Sequence, residues 1–124
     1  MGMYTEIVVS AQIKDIPEVV AVLDFMAGHV DKVPILPGHP LFMTSRWQIM
    51  FRCCSHYFVP LSVVRFEFND ISRTWSLIVR ADLKNYDGEI GLFFEWIKPY
   101  VDYPDTMIGY SRYEEDREPT IYYS

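Results

Sequence analysis

Val63-Val64-Arg65-Phe66-Glu67-Phe68, then Asn69-Asp70, then Thr74-Trp75-Ser76-Leu77-Ile78-Val79-Arg80-Ala81-Asp82-Leu83: this stretch decides the fold class. The first part alternates apolar and polar residues, the period-two pattern of a half-buried strand. Asn69-Asp70 starts a turn, because short polar side chains bond back onto the nearby backbone. From Thr74 to Leu83 a longer strand follows, with Trp75, Leu77, Val79 and Ala81 on one face. The two predict a β-hairpin.

Upstream, Tyr4 to Ile13 is β-branched and apolar, with Ile7, Val9, Ala11 and Ile13 on the face expected to meet a core. A helix is expected over Asp15–Ala27. Asp15 is its expected N-cap, Glu18 completes a capping-box spacing, and Pro17 is tolerated in the first turn. Ile16, Val19, Val20, Leu23 and Met26 recur at helical spacing, and Gly28 ends the run. Gly28 to Pro40 reads as a loop whose Val30, Val33, Ile35 and Leu36 fold back over the core edge. Arg46 to His56 fits a helical face (Trp47, Met50, Phe51, Cys54) and a strand face (Trp47, Ile49, Phe51, Cys53) equally. Thr44 or Ser45 as a cap favours a short helix.

Downstream, Asp87 is expected to cap a helix from Gly88 to about Lys98, with Ile90, Phe93, Phe94 and Ile97 inward and Pro99 as the stop. Met107–Tyr113 and Thr120–Tyr123 read as strands around a charged turn. The order β-α-(α)-β-β-α-β-β predicts one α+β domain over residues 1–124. Its expected form is a ferredoxin-like, split βαβ sandwich: a mostly antiparallel five-stranded sheet with two to three helices on one face.

Composition narrows the function classes. Half of the 124 residues are hydrophobic and 20 are aromatic, enough for a packed core rather than a disordered chain. No apolar run approaches the roughly 20 residues of a membrane span, and Met1 to Ile7 lacks the features of a signal peptide. Two adjacent cysteines, Cys53 and Cys54, read as reduced thiols of a cytoplasmic protein. Charge is uneven: residues 1–84 hold eight acids and eight bases, whereas residues 85–124 hold nine acids and three bases, which accounts for the net −6. An acidic surface repels phosphate, so nucleic acid is not the expected partner.

Several segments carry a likeness: Leu36-Pro37-Gly38-His39-Pro40, Arg46-Trp47, Asp82-Leu83-Lys84-Asn85-Tyr86-Asp87-Gly88-Glu89-Ile90, Trp96-Ile97-Lys98-Pro99-Tyr100 and Ile108-Gly109-Tyr110-Ser111-Arg112-Tyr113-Glu114-Glu115. From Leu36 onward the chain resembles a family of small bacterial and bacteriophage proteins of unknown function. The resemblance implies a bacterial or phage origin and transfers no activity and no site residue.

Four constellations could carry chemistry. Cys53 and His56, with His39, are zinc-ligand types, but no second paired ligand set accompanies them, so no metal site and no cofactor is expected. Asn85-Tyr86-Asp87-Gly88-Glu89 places two carboxylates together, which a helix start accounts for. The loop with His29 and His39 has no phosphate-cradling glycine pattern. The last is Tyr110-Ser111-Arg112-Tyr113-Glu114-Glu115-Asp116-Arg117, where aromatics and guanidiniums sit beside three adjacent acids. Tyr and Arg anchor protein interfaces. The expected function is therefore a non-catalytic protein-interaction module of inhibitor or adaptor type. Its expected contact residues are Tyr110, Arg112, Tyr113, Glu114, Glu115 and Asp116, and its partner is another protein or a second copy. An alternative is a small-molecule-binding domain with an aromatic-lined pocket. A third is an enzyme assembled from dispersed groups such as His39, Cys53 and Asp82.

Overall fold

In the computed structural model of the protein, residues 4–55 and 61–124 are described. The hairpin reading holds: β2 (Val63–Asn69) pairs antiparallel with β3 (Thr74–Leu83) from Val63↔Arg80 to Asn69↔Thr74. Asn69 Oδ1 accepts the amides of Ile71 (2.9 Å) and Ser72 (3.2 Å), the side-chain turn expected of Asn. β1 (Thr5–Lys14) lies between β3 and β4 (Met107–Tyr113), and β5 (Thr120–Tyr123) flanks β4. The order is β2-β3-β1-β4-β5, with every neighbouring pair antiparallel.

One side of this sheet is apolar. Ile7, Val9, Ala11 and Ile13 of β1 and Leu77, Val79, Ala81 and Leu83 of β3 are buried with the apolar residues of α1 (Pro17–Met26) and α2 (Glu89–Ile97) in one core. α1 contributes Val19, Val22, Leu23, Phe25 and Met26. It ends at Gly28, whose φ of +83° is a conformation that favours glycine. α2 approaches the sheet where β4 has no side chain. A Cβ on Gly109 would meet the Phe94 ring at 2.8 Å and strike the Val8 carbonyl oxygen. The space is used: the Phe94 ring stacks on Tyr122 of β5 with centroids 4.0 Å apart and planes 8° from parallel. The Tyr122 hydroxyl shares a 3.0 Å hydrogen bond with Ser111 Oγ.

α2 is buried nearly all round because a second layer covers it. A 3₁₀ turn, Pro40–Met43, sets Phe42 edge-on against Trp47 (4.9 Å) and Trp96 (5.2 Å). Phe51 meets Phe93 at 5.2 Å. These aromatic residues thus fill the interior around α2.

Four local expectations change. Arg46–His56 is neither helix nor strand over its described part. It forms successive three-residue turns (Ile49 N to Arg46 O, 3.2 Å; Arg52 N to Ile49 O, 2.9 Å), although Trp47, Met50 and Phe51 are buried as a helical face would bury them. The chain uncoils because Cys53 must reach the sheet, where its carbonyl accepts the Asp82 amide at 3.0 Å, past the end of the β2 pairing. His56 lies outside the described residues. Asp15 does not cap α1. The cap position is Ile16, and Asp15 instead accepts the Trp75 indole N–H at 3.0 Å. Asp87 does not cap α2. Asn85 Oδ1 takes the Ile90 amide at 3.0 Å, while Asp87 Oδ2 accepts the amide (3.0 Å) and hydroxyl (2.8 Å) of Ser45. These two donors hold the Asp87 carboxyl below its ordinary pKa. Finally, Val30, Val33, Ile35 and Leu36 do not cover the core, because Leu41, Phe42 and Trp47 already fill that edge; Ile35 is 96% exposed.

The opposite side of the sheet is polar and structured. Arg80 donates Nε (3.1 Å) and NH2 (3.0 Å) to Glu6 Oε2, and a second pair of hydrogen bonds to Asp82 (2.7 and 3.0 Å). Arg80 NH1 also holds the Leu61 carbonyl at 2.7 Å. Asp82 is fully buried. Burial raises its pKa, and the guanidinium beside it opposes the rise.

Candidate functional site

The period of two along β4 divides the expected contact residues between two surfaces. Register pairs Ile7 with Ser111 and Thr5 with Tyr113, so Ser111 and Tyr113 stand on the helix side. Val8 pairs with Tyr110 and Glu6 with Arg112, so those two stand on the polar side. Arg112 is half-buried, its Nε 3.7 Å from Glu6 Oε1, and it belongs to the Glu6–Arg80–Asp82 cluster rather than to an outward anchor. Tyr110 is half-buried.

The acids also differ. Glu114 exchanges backbone hydrogen bonds with the start of β1: its amide donates to Tyr4 O (3.1 Å), and its Oε1 accepts the Tyr4 amide (3.3 Å). Its carboxylate holds the chain together. Glu115 and Asp116 are exposed, and a turn closed by Asp116 N to Tyr113 O (2.9 Å) places them at the end of β4.

This turn borders a cleft of about 510 Å³. The cleft is lined by Thr5, Ser111, Tyr113 and Thr120 of the three adjacent strands β1, β4 and β5, by Asn85 and Tyr86 from the β3–α2 loop, and by Asp116. The lining is hydroxyls, an amide, a carboxylate and two phenol rings. Arg46 lies 4.9 Å over the Tyr86 ring, so one face of that ring already carries a cation of the chain itself. The Tyr113 phenol has a raised pKa, from desolvation first and then from the fields of Glu115, Glu114 and Asp116. It remains protonated and able to donate. We expect the Tyr113 phenol to titrate above the ordinary tyrosine range, and Glu115→Gln/Asp116→Asn to bring it down. Tyrosine ring carbon shifts followed by NMR against pH check this. An unchanged titration would mean that the two carboxylates do not face the phenol.

Of the cleft residues, sequence reasoning named Tyr113 and Asp116 as contacts and noted Asn85 and Tyr86 only as part of a helix start. Ser111 stands in the same Tyr110–Arg117 stretch without being named a contact, and Thr5 and Thr120 carry no signal in the sequence. They come together only through the pairing of β1, β4 and β5.

The other constellations stay apart. His39 Nδ1 accepts the Leu41 amide at 3.1 Å, and its Nε2 lies 3.8 Å from Glu95 Oε1. His29 Nδ1 meets Asp24 Oδ1 at 3.1 Å. Among the described residues no hydrogen bond or ion pair joins His39 to Cys53 or Asp82, and no three His, Cys, Asp or Glu side chains are grouped as a metal site. Cys53 and Cys54 are free and half-buried, and burial pushes the Cys53 thiol up, away from a reactive thiolate. Glu89 Oε2 and Trp96 Nε1 are buried without a described partner. No described helix is long and apolar enough to cross a membrane.

Comparison with known proteins adds no relative: no protein-family model, no curated protein and no solved structure matches the chain. The fold and the cleft therefore define the protein as an α+β domain with a five-stranded antiparallel sheet and an acidic, tyrosine-walled corner.

Proposed function

We propose that the protein is a non-catalytic interaction module, cytoplasmic in location, that captures a basic segment of a partner protein at the corner formed by Tyr86, Tyr113, Glu115 and Asp116. One observation carries this reading: the exposed Asp116, next to Glu115 in the most acidic third of the chain, lines a cleft together with two phenol rings. A lysine or arginine side chain placed there gains ring-face contact and a carboxylate partner together. The surrounding acids steer it in. Tyr110 and Arg112, on the other side of the sheet, are outside this contact surface. The mainly polar lining, with two phenol rings among hydroxyls, an amide and a carboxylate, supports an interaction role over an aromatic-lined small-molecule pocket. For the fold, the order β2-β3-β1-β4, with β3 between β1 and β2, supports reading the chain as a ferredoxin-like split βαβ to which β5 is added.

The test is a fluorescence-anisotropy titration of the protein with a labelled arginine-rich peptide. Screening lengths fall from roughly 30 Å at 0.01 M salt to roughly 8 Å at 0.15 M, so binding should weaken steeply over that range. Glu115→Gln/Asp116→Asn should weaken it several-fold at low salt; Glu114 is left in place because it holds Tyr4. Equal binding by variant and wild type would overturn the proposal.

A further inference from the structure

The segment from Val33 to His39 has a chemistry of its own. Residues 30–38 make no described hydrogen bond, and no regular secondary structure forms there. Pro34, Pro37 and Pro40 are spaced three apart, and a polyproline II helix has three residues per turn and no internal hydrogen bonds. The apolar-proline pair therefore repeats one such turn apart, as Val33-Pro34 and Leu36-Pro37. The side chains around it are apolar yet open to water: Ile35 is 96% exposed, Met43 87% and Val33 45%. Such a concentration on a soluble surface marks a contact. At the two ends of the loop, His29 bonds to Asp24 and His39 to the Leu41 amide. Beside it, Leu36, Pro37, Pro40, Phe42 and Met43 border an apolar depression of about 430 Å³, large enough to receive an aromatic side chain.

The prolines select among recognition modes. They bar the helix that a helix-binding groove requires and remove amides that strand addition would use. Recognition of a polyproline II segment by an aromatic-lined groove needs neither. An anionic lipid surface would meet a chain of net charge −6. We propose that Val33–His39 is a polyproline II ligand that docks in an aromatic-lined groove of a partner protein, independently of the acidic corner.

The test titrates the full-length ¹⁵N-labelled chain with a panel of purified SH3 and WW domains and, separately, with phosphatidylglycerol vesicles. The expected result is that at least one domain shifts the amides of Val33, Ile35, Leu36 and Gly38. Pro34→Ala/Pro37→Ala should weaken that domain's binding at least tenfold while the thermal midpoint is retained. Leu36→Asp, at an exposed site, repeats the test should the double variant be less stable. Absence of shifts with every domain, undiminished binding by both variants, or perturbation of these amides by vesicles alone would each overturn the proposal.

Discussion

Phe94→Ala is expected to lower the free energy of unfolding by about 3–5 kcal/mol, the range for truncating a large aromatic side chain in a core. The ring is 3% exposed and lies between Gly109, which yields the space, and Tyr122, on which it stacks at 4.0 Å. Alanine would leave a cavity that β4 cannot close, because Gly109 has no side chain to relax into it. It would also remove the ring that stacks on Tyr122 of the short edge strand β5, whose hydroxyl is bonded to Ser111 in the lining of the cleft. A domain of this kind has roughly 5–15 kcal/mol in total, so the variant should be near the limit of folding. Urea unfolding followed by tryptophan fluorescence reads the loss. A midpoint equal to wild type would place Phe94 outside the core.

Arg80→Met is expected to cost about 3–5 kcal/mol at neutral pH, as loss of one partner from a buried ion pair does. Methionine keeps much of the apolar stem but leaves Asp82, fully buried, without the Arg80 guanidinium, and Glu6 with Arg112 at 3.7 Å. The cost should depend on pH with a defined sign. The Asp82 pKa is raised in the folded protein. Its protonated form is thus the one folding favours, so its contribution is fully present below the unfolded pKa and is lost as pH rises through the folded one. Removing Arg80 takes away the group opposing that rise. The gap between variant and wild type should therefore be largest at neutral pH and narrow as pH falls toward about 4, where unfolded aspartate titrates. A gap independent of pH would show that Asp82 is not ionised in the native protein.

Much of the architecture was legible because local pattern and tertiary environment agree. The hairpin of β2 and β3, the inward face of β1 and the apolar side of α2 each follow from a period of two or of 3.6 residues that the core then uses. Legibility failed where one residue type suits several partners. Asp15 and Asp87 both look like helix caps, yet each is claimed by a donor far away in sequence: the Trp75 indole and the Ser45 amide and hydroxyl. Arg46–His56 fits helical and strand spacing equally, and over its described part it forms turns because Cys53 bonds to Asp82 at the end of β3. Exposure of Val33 and Ile35 could not be foreseen, since their apolar character argues for burial and only the filling of that edge by Leu41 and Trp47 keeps them out. The acidic corner was half legible. Tyr113 and Asp116 stand out in sequence, whereas Thr5 and Thr120 join them only through strand pairing, and Arg112 lies on the other side by the alternation along β4, where it meets Glu6.

The account's central claim is that this corner receives a basic side chain. Its most direct test is a ¹H–¹⁵N NMR titration of the protein with an arginine-rich peptide at low salt. The account predicts shifts concentrated at Thr5, Asn85, Tyr86, Ser111, Tyr113, Asp116 and Thr120, with the peptide concentration needed to produce them raised several-fold by Glu115→Gln/Asp116→Asn. Shifts spread evenly to acids elsewhere on the surface, such as Glu18 and Asp31, with the cleft residues unmoved, would contradict it.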